Sequence, residues 1–171
     1  MKQGPRYKVP FRRRREARTD YRSRYRLLQS RLPRVVVRKS LRNTIVQVVE
    51  FSSVGDQVIA TAFSKELAEF EWKENGGNLP SAYLTGYLAG KRTLAASRTQ
   101  CVLDVGLAAP TPGSSFYAAM QGMIDAGVTV PHGEGLFPDP SRLTGKHIRE
   151  EVPMLLQAVK GRIDKASGGK A

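Results

Sequence analysis

The sequence predicts an α/β fold: a three-stranded antiparallel meander plus a parallel strand, helices packed on the sheet, and a basic arm and helix ahead of it. Two patterns support this class. Three runs rich in β-branched residues follow one another with only short polar links between them. A long helical segment then precedes a short apolar run. The 171 residues, 40% of them hydrophobic, suffice for one buried core.

Residues 1–33 are predicted to form a basic arm followed by a single basic helix. The arm contains two prolines and shows no apolar periodicity. Beyond Pro10, side chains recur at steps of three or four, which places Tyr21, Tyr25 and Leu28 on one helix face. That face is expected to dock on the domain, and Pro33 is expected to end the helix.

Residues 34–127 are predicted to form the α/β core domain. Its first strands are Arg34–Lys39, Thr44–Phe51 and Gln57–Phe63, and the short links between them favour antiparallel pairing. Cys101–Gly106 is predicted as a strand that is buried on both faces and returned parallel to the sheet by a crossover helix.

Polar and small residues indicate where the helices of this core begin and end. A short helix follows the third strand, and Ser81 is expected to cap a longer helix near residues 82–97. Ser114 or Ser115 is expected to cap a further helix that ends at Gly127.

Residues 128–171 are predicted to form a loop-rich C-terminal extension with a terminal helix. Residues 128–139 contain two prolines and two glycines, which is typical of a loop. The amphipathic terminal helix is expected at about residues 151–165. No function is assigned to it.

Positive charge is concentrated at one end of the chain. The first 42 residues hold 16 basic side chains, 13 of them arginine, against two acids. The remaining residues hold 12 basic and 13 acidic side chains. A nearly neutral domain with one strongly cationic end, giving a net charge of +13, predicts a polyanionic partner.

Other features of composition narrow the class of protein. Cys101 is the only cysteine, so the chain can form neither an internal disulfide nor a four-cysteine zinc site. No apolar run reaches the roughly 18 residues of a membrane span, and no apolar segment follows the charged N-terminus. These features predict a soluble cytoplasmic protein with no membrane partner.

Two glycine-containing stretches are candidates for a phosphate site. Gly86–Thr93 (GYLAGKRT) approximates the G-x-x-x-x-G-K-[ST] loop, but it is one residue short and lies inside a predicted helix. The favoured interpretation is that its small residues press the helix against the sheet. Gly106–Ser115 joins a strand to a helix N-terminus, so a nucleic-acid backbone phosphate could rest there, whereas a dinucleotide is disfavoured.

Catalytic and metal-binding interpretations have weaker support. Two-metal hydrolysis needs several convergent carboxylates, and no spacing in the sequence brings the candidates together. The sequence therefore predicts no catalytic residue, no metal, no cofactor and no small-molecule substrate. A metal-dependent nuclease is kept as a less favoured alternative. The residues considered for such sites are Glu50, Asp104, Asp125, Glu134, His132 and His147.

The basic end favours RNA among the polyanions. Its apolar stripe is too thin for a membrane-surface helix, and no helix-turn-helix, zinc finger or heptad zipper is present to read duplex DNA. Arginine suits bidentate phosphate contacts and stacking on bases. Docking on folded RNA fits best. A general RNA- or polyanion-binding module, or a DNA-binding one, stays an open alternative.

Five stretches together resemble one protein family, the 5S-rRNA-binding protein of the large ribosomal subunit, numbered eighteen in bacteria and five in eukaryotes. The longer chain and the PHGE segment resemble its archaeal branch. The resemblance runs, with gaps, from about Tyr7 to His147. The stretches are Tyr7–Leu28, Arg34–Ser40, Ala82–Arg92, Val102–Leu107 and Asp125–Glu134.

The resemblance implies a structural constituent of the large ribosomal subunit that binds 5S rRNA and helps attach it to the large-subunit rRNA, without catalysis. Neighbouring large-subunit ribosomal proteins are further implied partners. Tyr21 and Tyr25 suit either base stacking or packing on their own domain. Thr111–Tyr117 departs from the bacterial pattern, which leaves its RNA contact unassigned. The implied RNA-binding residues are Lys8, Arg12, Arg13, Arg14, Arg15, Arg18, Tyr21, Arg22, Arg24, Arg38, Lys39 and Ser40.

Overall fold

A four-stranded mixed sheet organises the molecule. The computed structural model describes residues 4–109 and 111–168. The strands are β1 (Arg34–Lys39), β2 (Thr44–Glu50), β3 (Gln57–Phe63) and β4 (Val102–Asp104), in the order β3-β2-β1-β4. The first three pair antiparallel and β4 pairs parallel to β1, which confirms the predicted fold class.

The register of β1 gives the sheet one apolar face and one cationic face. Val35 and Val37 are buried on the apolar face, while Val36 and Arg38 alternate with them and point to the opposite side. The last strand is shorter than predicted and lies at the sheet edge. Its three residues are half-buried, so the prediction of a strand buried on both faces is wrong.

The long helix α3 (Leu79–Ala95) is the centre of the core. It starts three residues earlier than predicted because the Asn78 side chain, rather than that of Ser81, caps it by accepting from the Ser81 amide at 2.9 Å. The Ser81 hydroxyl instead donates to the carbonyl of Asn75 at 2.6 Å and accepts from the Trp72 indole N–H at 2.7 Å. The predicted short helix before α3 is a 3-10 helix, Ser64–Phe70.

Glycines bring α3 into close contact with α4 (Ser115–Asp125). A methyl group at Gly86 would collide with the backbone carbonyl of Ala119, and one at Gly122 would collide with that of Tyr83. The prediction that the small residues of α3 press it against the sheet is therefore wrong about the partner. Backbones that approach this closely leave no room for a side chain, which explains the choice of glycine.

The C-terminal segment completes the same hydrophobic core. A short helix, α5 (Pro140–Thr144), was not predicted, and α6 (Val152–Gly168) covers the expected terminal helix. The apolar side chains of α6 are buried together with those of α3 and α4. Those that are fully or almost fully buried are Val152, Leu156, Val159 and Ile163. The boundary proposed at residue 127 stays a prediction.

Buried tyrosines of α3 join α6 through a polar cluster. The Tyr87 hydroxyl donates to Asp164 at 2.6 Å, and the Lys91 ammonium lies 2.8 Å from the same carboxylate. Burial, followed by the hydrogen bond to Asp164, raises the pKa of Tyr87. Burial also acts to raise the pKa of Asp164, but the hydrogen bonds from Lys91 and Tyr87 outweigh it and hold that pKa below its ordinary value.

The N-terminal region contains two helices where one was predicted. A single turn, α1 (Arg12–Arg15), is followed by a break and then by α2 (Tyr21–Gln29). Ala17 adopts a left-handed conformation at φ 50°, and the Asp20 side chain accepts from the amides of the first turn of α2. An Asp N-cap starts a new helix, so a continuous helix across these residues is excluded. Residues 1–3 of the predicted arm lie outside the described residues.

Candidate nucleic-acid interface

The cationic face of the sheet is the face that α3 and α4 leave uncovered. Both helices pack on the opposite, apolar face. A cleft of about 440 Å³ separates the uncovered face from the arm and α2. From here on, the arm means the described residues that precede α2, so it includes α1. Its lining combines apolar side chains, such as Val36 and Val58, with polar and charged ones. The charged ones include the carboxylates Asp20, Asp56 and Asp104.

Basic side chains from three separate elements surround this cleft. Arg13 and Arg18 come from α1 and the segment after it, and Arg24 comes from α2. Arg38 and Lys39 come from the end of β1. Five of the predicted RNA-binding residues are thereby brought together, although they lie up to 26 positions apart in the sequence.

The other predicted cations lie outside the cleft lining, and all of them are exposed to solvent. They are Lys8, Arg12, Arg14, Arg15 and Arg22. Within the arm, Glu16 lies 3.8 Å from Arg12 and 3.4 Å from Arg18. Ion pairs this exposed are worth less than about 1 kcal/mol, so both guanidinium groups can exchange Glu16 for a phosphate.

Ser40 shapes the turn after β1. Its hydroxyl donates to the carbonyl of Asn43 and accepts from the Asn43 amide, each at 3.1 Å. The backbone amide of Ser40 also donates to that carbonyl at 2.8 Å. These bonds close the turn after β1, and they occupy the Ser40 hydroxyl. Direct contact between Ser40 and RNA stays a prediction.

The two tyrosines of α2 differ in environment. The half-buried Tyr21 ring packs on Phe11, with ring centroids 5.3 Å apart. Tyr25 is 65% exposed, so the prediction that it docks on its own domain is wrong. The half-buried stripe of α2 passes through Arg24, Leu27 and Leu28, so Tyr25 lies outside it. Tyr25 therefore presents a free aromatic face, as base stacking requires.

Buried charge lies under the cationic face. Arg34 is only 4% exposed, and its two terminal nitrogens each lie 2.6 Å from a carboxylate, one of Asp56 and one of Asp104. Asp56 also accepts from Arg24 of α2 at 3.0 Å. Sequence reasoning did not identify this group. Two acids in the sequence could have indicated it. Asp56 follows Gly55 in a turn, and Asp104 lies within a short apolar run, where an acid needs a cationic partner.

The carboxylates considered for a nuclease have separate partners instead of a common centre. Glu50 pairs with Arg98 at 3.1 Å, and Asp125 accepts from the Tyr83 hydroxyl at 2.6 Å. Across residues 4–109 and 111–168, no three His, Cys, Asp or Glu side chains are grouped as a metal site would require. In the same ranges, no helix is both long and apolar enough to cross a bilayer.

Gly106–Ser115 is the strand-to-helix loop predicted as a candidate phosphate site, and its first amide already has a hydrogen-bond partner. The N–H of Gly106 donates to the Asp104 side chain at 2.9 Å. Ser114 is the N-cap of α4, but its hydroxyl makes no capping hydrogen bond. Pro110, in the middle of this loop, lies outside the described residues. A phosphate contact here stays a prediction.

Comparison with known proteins places this chain in a family. The model of a family described as "Ribosomal large subunit proteins 60S L5, and 50S L18" matches residues 5–100 and 95–133. The chain belongs to this family. The matched residues include the arm, α2, the sheet, α3 and α4, and therefore every predicted RNA-binding residue.

Archaeal relatives in this family are similar over most of their length. The large ribosomal subunit protein uL18 of Korarchaeum cryptofilum is 53% identical over 148 residues, covering 86% of this chain and 76% of the relative. The uL18 protein of Haloarcula marismortui is 52% identical over 150 residues, covering 88% and 80%. That of Methanothrix thermoacetophila is 51% identical over 150 residues, covering 88% and 89%. The predicted resemblance to the archaeal branch is confirmed.

Proposed function

We propose that this chain is a structural constituent of the large ribosomal subunit that binds 5S rRNA and helps attach it to the large-subunit rRNA in the cytoplasm. Neighbouring large-subunit proteins are its further partners. Membership of the uL18 family supports the ribosomal role. One observation carries the RNA-binding role: arginines and a lysine from the arm, α2 and β1 converge around one cleft on the uncovered face of the sheet.

The cationic groups divide into a rigid set and an adaptable set. Arg38 and Lys39 extend from a hydrogen-bonded strand, so their positions are fixed before RNA arrives. The arginines of α1 project from a single exposed turn and can adjust to the RNA backbone. Phosphate contacts from both sets would supply most of the affinity. The shape of the folded RNA, rather than its linear sequence, would supply the specificity.

The dependence of binding on salt tests the electrostatic basis. If about eight phosphates are neutralised, the logarithm of the 5S rRNA binding constant falls with the logarithm of salt concentration with a slope of about −6 to −7. Filter binding or fluorescence anisotropy from low to moderate salt measures this slope. An affinity that does not change with salt would refute the phosphate-contact basis of the proposal.

A competition experiment separates 5S rRNA recognition from general polyanion binding. Labelled 5S rRNA is bound to the full chain and challenged with unlabelled 5S rRNA, a structured RNA of the same length and duplex DNA of the same length. The proposal expects 5S rRNA to compete at least about a hundredfold better than either control. Equal competition would favour the polyanion-binding module instead.

Incubation with magnesium tests the nuclease alternative. The expected result is intact RNA after prolonged incubation of the protein with 5S rRNA and Mg²⁺. Cleavage by the wild type that disappears in Asp104→Asn, with RNA binding retained, would support the nuclease.

A further inference from the structure

Helix α2 is held to the domain by few contacts. None of its nine residues is buried, whereas its Leu27 and Leu28 are half-buried. Clefts of about 440 and 580 Å³ lie along it, the first toward β1 and the second toward the segment after β4. Within the described ranges, one side-chain hydrogen bond joins α2 to another element, and it runs from Arg24 to Asp56.

That hydrogen bond is the outer end of a chain of four charges. Asp56, directly before β3, accepts from Arg24 at 3.0 Å and from Arg34 at 2.6 Å. Arg34, at the start of β1, also donates to Asp104 of β4 at 2.6 Å. We call these four residues the charge clasp. Two cations alternate with two anions, and together they connect α2, β1, β4 and the loop before β3.

Burial makes the inner part of the clasp rigid. The Arg34 side chain is 4% exposed, and its Nε has no hydrogen-bond partner, so the two carboxylates carry its whole stabilisation. A buried guanidinium is costly unless it is paired, which fixes both acids in place. The Arg24 side chain is 34% exposed and Asp56 25% exposed, so solvent screens their pair more than it screens the inner pairs.

We propose that Asp56 is a positioning residue, and that Arg24 acts on RNA through Asp56 rather than by contacting a phosphate. The charge clasp holds α2 over the sheet, and the cationic cleft is thereby open before RNA binds. A preformed cleft lowers the ordering cost of binding. This inference rests on the proposed RNA-binding function, and it changes the role of Arg24 among the predicted RNA-contacting residues.

Removal of the Asp56 carboxylate distinguishes a positioning role from simple electrostatics, because the two predict opposite changes in RNA affinity. Asp56→Asn takes a negative charge away from an RNA-binding surface, which by Coulomb attraction alone tightens binding. The clasp predicts that 5S rRNA binds about tenfold more weakly, because α2 is released. Asp56→Glu is expected to restore most of the affinity. Affinity for Asp56→Asn that equals or exceeds the wild type overturns the proposal.

Glu16→Gln is the matched control. This residue is also an acid beside cationic residues of the interface, but its partners Arg12 and Arg18 both lie within the arm. Its removal is expected to leave affinity unchanged or to tighten it slightly. If Glu16→Gln weakens binding as much as Asp56→Asn does, the effect belongs to any lost carboxylate and the clasp is wrong.

A double-mutant cycle tests how Arg24 acts. Arg24→Gln is expected to weaken binding about tenfold in the wild type and to have almost no effect in Asp56→Asn. A direct phosphate contact predicts otherwise: Arg24→Gln would then weaken binding in both backgrounds and reduce the salt slope by about one. That second outcome overturns the assigned role of Arg24.

Hydrogen exchange of the free protein keeps this inference distinct from the RNA-binding proposal. In Asp56→Asn and in Arg24→Gln, backbone amides of α2 are expected to exchange at least about tenfold faster, while those of α3 are unchanged. Arg24→Gln leaves both carboxylates on Arg34, so it remains informative even if Asp56→Asn does not fold. Unchanged exchange in α2 refutes the clasp whatever RNA does. Absent 5S rRNA binding by the wild type, with faster exchange in the variants, refutes the proposed function alone.

Discussion

Helix α3 buries 12 of its 17 residues, whereas α2 buries none of its nine. The two helices lie on opposite sides of the same sheet and differ in what fixes them. Close backbone contact at glycines fixes α3 against α4. Helix α2 is held by the partly buried pair of Arg24 with Asp56 and by two half-buried leucines. The exposed cations lie apart from the packed core, so changes to them should alter RNA binding with little effect on stability. Changes around α3 should do the reverse.

Removal of residues 1–18 tests the cationic side most strongly. The deletion removes eight basic side chains but keeps Asp20, which caps α2. Affinity for 5S rRNA is expected to fall on the order of a thousandfold, and the salt slope is expected to become shallower by several units. The melting temperature should change little. Unchanged RNA binding after this deletion would show that the arm is not part of the interface.

A methyl group at Gly86 tests the packed side. Gly86→Ala places its Cβ on the Ala119 carbonyl, so the free energy of unfolding is expected to fall by at least about 3 kcal/mol. Gly161→Ala is the matched control, because this helical glycine of α6 faces open space and alanine there should stabilise by about 0.5–1 kcal/mol. Chemical denaturation measures both. Equal effects at the two sites would contradict the described α3–α4 contact.

The pH dependence of stability gives a third test, because burial shifts the pKa of Cys101 in the core. Burial raises the pKa of Cys101 from 9.0 to about 11. The folded state therefore holds this proton more tightly, and the associated stability is complete below pH 9 and is lost as the pH rises toward 11. Between pH 7.5 and 10.5 the loss attributable to Cys101 is about 2 kcal/mol.

Cys101→Ala provides the control for this titration. The variant is less stable at neutral pH because it loses buried volume, but its stability should decline less between pH 7.5 and 10.5. The remaining decline includes contributions from Tyr83 and Tyr87, whose pKa values burial raises, and from Lys91, whose pKa the contact with Asp164 raises. A decline equal to that of the wild type would show that Cys101 does not titrate as its burial requires.

Tyr87→Phe should have the smallest effect. The variant removes one hydrogen bond to Asp164, an acid whose side chain is 44% exposed and keeps its ion pair with Lys91. The unfolding free energy is expected to fall by about 1 kcal/mol, and RNA affinity should not change. Thermal unfolding and anisotropy measure the two quantities. A change in affinity would show that the α3–α6 contact communicates with the interface.

Local sequence patterns predicted the elements of the fold well. Runs of β-branched residues gave the three antiparallel strands, and one apolar run gave β4 with its parallel direction. Predictions of helix caps and of helix contacts were less accurate, because neighbouring side chains compete for the same hydrogen bonds and packing positions. Asn78 displaced Ser81 as a cap because the Ser81 hydroxyl is bonded within the core. The glycines of α3 indicated a close contact, but a single sequence does not say whether a sheet or a helix provides it.

The same limit explains the outcome at the candidate site. Composition located the cationic end, but the break at Ala17 and Asp20 was hidden by a continuous helical periodicity. Periodicity also did not show that the half-buried stripe of α2 runs through Arg24 rather than through Tyr25. The charge clasp joins residues up to 80 positions apart, from Arg24 to Asp104, so no local pattern could reveal it. Pairing between distant charges becomes visible only once the sheet has brought β1 and β4 together.

The position of α6 in the chain has a consequence for synthesis. One side of α3 is completed only by α6, which ends 73 residues after α3 does. At typical translation speeds, the side of α3 that α6 covers stays exposed for about 4 to 15 seconds after α3 has been made. The arginine-rich segment emerges even earlier, before the loop that carries Asp56, the acid paired with Arg24. A nascent chain of this kind exposes a cationic segment and one apolar side of a helix together, so we expect it to depend on chaperones until α6 has emerged.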